Sequence, residues 1–162
     1  MKLLTKMTIA LSASALALPG MSVAAQAAAS PISLVGDVKA EKVITAPDGT
    51  ESTELVAPTA IIPGDRLIFG TDYAHGGSEA VNNFVVTNPL PAAVRLAPDA
   101  DPALEVSVDG GKSWGVLTAL TVSSSDGAAR PGTHADVTHV RWVLASVTPG
   151  TKGRLTYPAI IR

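Results

Sequence analysis

The chain has 162 residues, no cysteine and a formal net charge of −2. This length favours one domain, and the lack of cysteine excludes disulfides and a lipid-attachment thiol. No run of basic residues occurs, so nucleic acid and anionic membrane surfaces are poor candidate partners.

The first 29 residues predict a cleavable secretory signal peptide. Lys2 and Lys6 form a basic start, and an apolar run follows over residues 7–18. Two A-x-A cleavage sites end at Ala27 and Ala29. A membrane anchor is the alternative, but the run is shorter than the roughly 20 residues needed to span a bilayer.

Signal removal leaves residues 30–162 as a single domain. Without Lys2 and Lys6, ten Lys and Arg face fourteen Asp and Glu, which gives a net charge of −4. Export without disulfides indicates a bacterial periplasmic or extracellular protein. We expect no membrane span after cleavage.

The mature chain then reads as short alternating runs separated by Gly and Pro turns. An alternation of period two places the odd and even residues of a strand on opposite faces. The predicted strands of the first half are an edge strand in 30–44, a return strand in 53–57, and strands at 66–73, 83–88 and 94–96. Charged residues protect the first of these as an edge.

The second half predicts four further strands around one long polar loop. The strands cover residues 104–108, 116–122, 138–147 and 154–162, and the loop covers 123–136. The last two strands flank Pro149-Gly150, which suits a turn, so we expect them to pair with each other. Pro158 has no N–H for a ladder and places the last strand at a sheet edge. Trp142 shares a face with Val140 and Leu144 and is expected to lie buried between two sheets.

Short alternating runs separated by Gly and Pro turns, with no helical period, predict an antiparallel β-sandwich. A small barrel is the alternative.

Two stretches resemble a family of conserved repeat domains in bacterial surface proteins, catalogued as a domain of unknown function, number eleven in its series. The first is Ile62-Pro63-Gly64-Asp65-Arg66-Leu67-Ile68-Phe69 with Asn83 to Pro91. The second is Val140 to Leu144 with Pro149 to Tyr157. The likeness covers about Ile61 to Arg162. It departs at Ala74, where the family has Asn, and at Asn88, where it has Asp. The resemblance implies an immunoglobulin-like sandwich in exported proteins, with no catalytic residues to transfer.

Three polar groupings contain residue types that occur in functional sites. Ser107 to Trp114 fits the Ser-x-Asp-x-Gly-x-Ser-Trp hairpin of propeller blades, but one copy predicts a structural turn. His134, Asp136 and His139 are metal-ligand residue types. The spacing predicts a loop at His134 and Asp136 and an outward His139, hence no tight transition-metal site.

The third grouping is Asp99, Asp101 and Asp109, which lack the spacing of a calcium loop and predict solvated turns. No Cys, no Gly-x-Ser-x-Gly elbow and no phosphate-binding glycine loop occurs. We therefore expect no catalytic residue, no metal and no cofactor.

The sequence favours an exported, non-catalytic β-sandwich with a structural or interaction role at the bacterial cell envelope. The partner would be another envelope protein or a second copy, bound through the C-terminal edge strand. A module that binds a small ligand, metal or carbohydrate through loop 123–136 is the alternative, and a hydrolase is disfavoured by the missing motifs.

Overall fold

The computed structural model describes residues 30–123 and 127–162, so the predicted signal peptide and its cleavage sites lie outside the described residues. The described part is all-β with antiparallel pairing, as the alternation predicts. The strands are β1 (Ile32–Thr45), β2 (Glu51–Val56), β3 (Arg66–His75), β4 (Val81–Pro89), β5 (Val94–Leu96), β6 (Glu105–Ser107), β7 (Gly115–Val116), β8 (Thr121–Ser123), β9 (Ala129–Pro131), β10 (His139–Val147) and β11 (Lys152–Ile161).

Two sheets form a sandwich-like arrangement rather than a barrel. Sheet A has the order β2-β1-β3-β11-β5, sheet B has the order β4-β10-β6-β7, and β8-β9 is a separate hairpin. The shared core draws Leu67, Tyr157 and Ala159 from sheet A and Val106 and Val140 from sheet B, all at most 4% exposed. These residues are on the inner faces that the period-two pattern assigns.

The predicted edge position of β1 is only partly correct. Residues 32–40 of β1 pair with β3, whereas residues 40–45 pair with β2 and continue as a hairpin arm. On the side away from β3, residues 32–39 therefore have no partner strand within the described chain. Asp48 closes the arm by accepting the Thr50 N–H at 2.9 Å, so the Pro-Asp-Gly turn was predicted correctly.

The predicted pairing of the last two strands is wrong. β10 pairs with β4 and β6 in sheet B, and β11 pairs with β3 and β5 in sheet A. The Pro149-Gly150 connection crosses from one sheet to the other, and the Gly150 N–H donates to the His75 carbonyl at 3.0 Å. The turn at Pro149-Gly150 was predicted correctly, but a turn does not specify which sheet the next strand joins.

The edge position predicted for the last strand also needs correction. β11 lies between β3 and β5, although β5 covers only Ala159 to Ile161. The Ile161 N–H donates to Asp65 on the β3 side, so Pro158 directs its missing N–H toward β5. Its carbonyl there accepts the Ala97 N–H at 3.0 Å. Pro158 is tolerated because the β5 ladder ends beside it.

The predicted strand 116–122 is broken in the structure. A single turn of 3-10 helix at Leu117–Ala119 separates β7 from β8. β8 then pairs with β9, so a hairpin occupies part of the predicted loop 123–136.

Trp142 is half-buried rather than enclosed. Its ring packs against the core, with 6.1 Å between the ring centroids of Trp142 and Tyr157. Tyr157, 1% exposed, is the largest fully buried side chain, and its ring stacks on Phe69 at 5.0 Å.

Candidate functional site

The stretch Ser107–Trp114 forms the tight turn that its sequence predicts. The Asp109 carboxylate accepts the hydroxyls of Ser113 (2.6 Å) and Ser107 (2.7 Å) and the N–H groups of Ser113 and Lys112, both at 3.0 Å. The two glycines that follow Asp109 have φ values of 79° and 87°, a region that suits glycine. Bonds from Ser113, then Ser107, hold the pKa of Asp109 well below its ordinary value. A carboxylate with every bond directed into one turn serves structure.

Trp114 connects this turn to the outer face of sheet B. Its indole N–H donates to the Gly111 carbonyl at 3.0 Å. The Arg141 guanidinium lies 4.6 Å from the ring centroid and also pairs with Glu105 at 2.7 Å. His139 approaches the ring edge-on at 6.2 Å. The cation–π contact and the ion pair fasten the turn to β10.

His134, Asp136 and His139 have separate roles. Residues 134–136 form a turn ahead of β10, as predicted. The Asp136 carboxylate accepts two bonds from Arg130 (2.6 and 2.7 Å), which lower its pKa most, and further bonds from Thr133. His139 has its Nδ1 3.0 Å from a threonine hydroxyl on the neighbouring residue. Asp136 thus fastens the β8–β9 hairpin to the turn.

The three aspartates considered for calcium are likewise apart. Asp99 forms a two-bond ion pair with Arg66 at 2.6 and 2.8 Å, and Asp101 accepts the Ala103 N–H at 2.8 Å. The Arg66 bonds lower the pKa of Asp99. Across residues 30–123 and 127–162, no group of three His, Asp or Glu could hold a metal ion.

The predicted ligand loop 123–136 offers little free polar chemistry where the structure describes it. β9 occupies its centre, and its one ionised pair, Arg130 with Asp136, is internal. Residues 124–126 lie outside the described part.

In the described part, the histidine that lies beside a hydroxyl is His139, whose Nδ1 is 3.0 Å from the neighbouring Thr138. His75 is 3% exposed, accepts the Gly77 N–H through Nδ1 at 3.0 Å, and has an Nε2 with no partner among the described residues. It is enclosed at one end of the sandwich.

One arginine braces the outer face of sheet A. Arg154 on β11 crosses β3 to reach Asp37 on β1 and also bonds Asp72 at 2.9 Å. It passes over Gly70, where a Cβ would collide with its guanidinium. Both partners are partly exposed, so each pair contributes modestly to stability.

The feature that sequence reasoning missed is a cleft beneath β1. Asn88 on β4 donates to the Thr71 hydroxyl on β3 at 2.8 Å, which places β4 under β3. β1 is the next strand of sheet A, and sheet B ends at β4. The inner face of β1 therefore extends beyond sheet B. Leu34 shares that face with buried Ile32, yet it is 46% exposed.

The cleft has a volume of about 350 Å³. Its apolar walls include Leu34, Val38 and Phe69, and its polar groups include Thr71 and Asn88. Gly36 lies on the same inner face, and a Cβ there would meet only the Gly70 carbonyl, at 3.8 Å. The missing side chain at Gly36 thus keeps the cleft open.

Tyr157 also lines this cleft. Its hydroxyl makes no hydrogen bond within the described residues, and burial raises its pKa to about 12. A neutral donor without a partner, in a pocket, is a group that a ligand can satisfy. The uncharged sequence of β4 and the glycine at position 36 were the signals that could have indicated the cleft.

Comparison with protein-family models, with curated proteins and with solved structures finds no match. Within the described residues, no helix has the length and apolar character needed to cross a bilayer. The fold and its side-chain chemistry define the chain as an all-β, antiparallel, sandwich-like protein. Several of its aspartates brace turns and strands, and one of its open cavities is the cleft between β1 and the edge of β4.

Proposed function

We propose that this chain is an exported, non-catalytic, immunoglobulin-like β-sandwich with a structural or interaction role at the bacterial cell envelope. The observation that carries the proposal is the use of polar groups: Asp99, Asp109 and Asp136 all direct their carboxylates into turns or ion pairs. What the described surface leaves available is unpaired strand backbone and an uncovered apolar cleft. Both suit binding to another chain.

The export half of the proposal rests on the basic start, apolar run and A-x-A sites of residues 1–29. The envelope location rests also on the resemblance of Ile61 to Arg162 to repeat domains of bacterial surface proteins. That resemblance supports an immunoglobulin-like sandwich as the finer description of the fold.

Cell fractionation with N-terminal sequencing tests export. We expect a mature protein that begins at Ala28 or Ser30. Ala27→Leu should block both cleavages, because Ala27 is the last residue of one A-x-A site and the first of the other. Wild-type protein that retains Met1 and remains in the membrane would contradict export as a processed protein.

Ligand binding through loop 123–136 has less support, because Arg130 and Thr133 already occupy the Asp136 carboxylate. Metal analysis of untagged, dialysed protein decides between the two functions. We expect no stoichiometric metal. One equivalent of zinc, lost in His139→Ala, would favour the ligand-binding module instead.

A further inference from the structure

The outer edge of β4 is unpaired within the described chain and carries no charged side chain. Within the described chain β4 pairs only with β10. Its sequence from Val81 to Pro89 contains no charged residue. Other open edges of sheet A are charged: β2 carries Glu51 and Glu54, and the start of β11 carries Lys152 and Arg154. Charge is a common protection of sheet edges, and β4 lacks it, so the edge of β4 is competent for pairing.

The direction of the backbone groups on β4 follows from one bond. The Leu90 N–H donates to the Thr138 carbonyl at 2.8 Å, in register with the β4–β10 ladder. In an antiparallel strand, successive residues direct their N–H and C=O groups to alternate sides. The even-numbered residues of β4 therefore face β10, whereas Val85 and Thr87 offer their backbone groups outward. Pro89 is also odd-numbered and faces outward. It has no N–H to donate, which a strand tolerates at a sheet edge.

The space beside this edge is the cleft beneath β1. A strand added to β4 would continue sheet B under β1 and direct alternate side chains toward Leu34, Gly36 and Val38. Tyr157 and the open position at Gly36 both line this cleft, so those side chains would enter beside them.

The charges select a neutral occupant. Among the described residues that line the cleft, Asp37 is the charged one, and Arg154 already neutralises it. Tyr157 stays protonated at neutral pH, since its pKa is raised. A charged side chain inserted here would be desolvated without an opposite charge to pair with.

Because β1 extends beyond sheet B, the occupant of the β4 edge is a separate strand rather than a second copy of this chain. If a second copy added its β4 to this edge, its own β3 would have to lie above that strand, because Asn88 and Thr71 hold β4 under β3. That position is already occupied by β1 of the first copy. A single strand with no sheet above it has no such conflict.

We propose that the edge of β4 and the cleft beneath β1 bind an extended, uncharged segment of another protein by strand addition. The segment spans about five residues, or roughly 16 Å. Its backbone pairs with Val85 and Thr87, and its inward side chains are apolar except for one hydroxyl or amide that meets Tyr157. This deepens the proposed interaction role by naming the surface and the partner chemistry.

The test is a peptide-display library of random seven-residue segments, selected on the exported protein and counter-selected on Gly36→Leu. The leucine fills the cleft without backbone conflict, because nothing lies closer than 3.8 Å to a Cβ at Gly36. We expect recovered sequences with uncharged residues and alternate apolar positions. The proposal would be overturned if no peptide is enriched more on the wild-type protein than on Gly36→Leu. It would also be overturned if the enriched peptides are charged.

The recovered peptide is then synthesised and its affinity measured. We expect at least about tenfold weaker binding to Gly36→Leu and to Thr87→Pro, the latter because proline removes an outward donor. Amide exchange at Val85 and Thr87 should slow on binding. Protection confined to residues 34–38 would show pairing to β1 instead and would refute the β4 assignment.

Two controls keep the outcomes separate. Circular dichroism checks that both variants remain folded. Light scattering checks for a second copy, and a concentration-dependent dimer abolished by Thr87→Pro would overturn the choice of occupant. Neither result bears on export, which fractionation tests independently.

Discussion

Tyr157 provides the sharpest test of the core, because its ring and its hydroxyl predict opposite outcomes. The ring is 1% exposed, stacks on Phe69 at 5.0 Å, and lies 6.1 Å from the Trp142 ring. Truncation in Tyr157→Ala removes these contacts and leaves a cavity, at a cost of about 3–5 kcal/mol. The hydroxyl has no hydrogen-bond partner among the described residues, so Tyr157→Phe removes a polar group that stabilises nothing. We expect its free energy of unfolding to stay within about 0.5 kcal/mol of wild type or to rise.

Urea unfolding followed by Trp fluorescence measures both changes, since Trp142 reports on the same contact. With a slope near 1.5 kcal/mol per molar urea, a loss of about 4 kcal/mol lowers the midpoint by roughly 2–3 M. Tyr157→Phe should leave the midpoint almost unchanged. A loss above about 1 kcal/mol in Tyr157→Phe would show that the hydroxyl makes a stabilising bond, and the reasoning would fail.

The same residue predicts a pH dependence. The pKa of Tyr157 is raised by burial to about 12 from an ordinary value of 10.0. The folded state therefore keeps its proton where the unfolded state loses it, so stability is intact below pH 10 and falls as the pH rises toward 12. Tyr157→Phe should lose this contribution to the alkaline decline, and an identical decline in both proteins would refute it.

Two further predictions concern the braces of the sandwich. Gly70→Ala should destabilise by up to about 1 kcal/mol, since a Cβ there displaces the Arg154 guanidinium from its partly exposed ion pairs, whereas Gly36→Ala should be neutral or stabilising; equal midpoints for the two variants would show that Arg154 does not need the space. The pKa of Asp136 is lowered chiefly by Arg130, so its stabilising contribution is present above the unfolded value of 3.8 and is lost as the pH falls. A midpoint measured from pH 7 to pH 2 should decline less in Asp136→Asn, and an unchanged slope would argue against this ion pair.

Local chemistry allowed much of the fold to be predicted from sequence. Alternation in Arg66 to Tyr73 correctly placed Leu67 and Phe69 on the inner face, because side-chain direction depends only on strand geometry. The turns at Asp48 and Asp109 were predicted correctly for a similar reason, since each aspartate bonds amides within four residues.

Strand partners and the cleft were decided only by tertiary structure. The same Pro-Gly turn can return a strand to its own sheet or carry it to the opposite one, and the observed crossing places β10 and β11 in different sheets. The last strand was predicted at an edge from Pro158, but three residues of β5, distant in sequence, cover its end. The cleft exists because sheet A extends one strand beyond sheet B. Such an offset depends on the packing of two sheets, so the uncharged β4 and the glycine at position 36 could indicate a cleft but not its position.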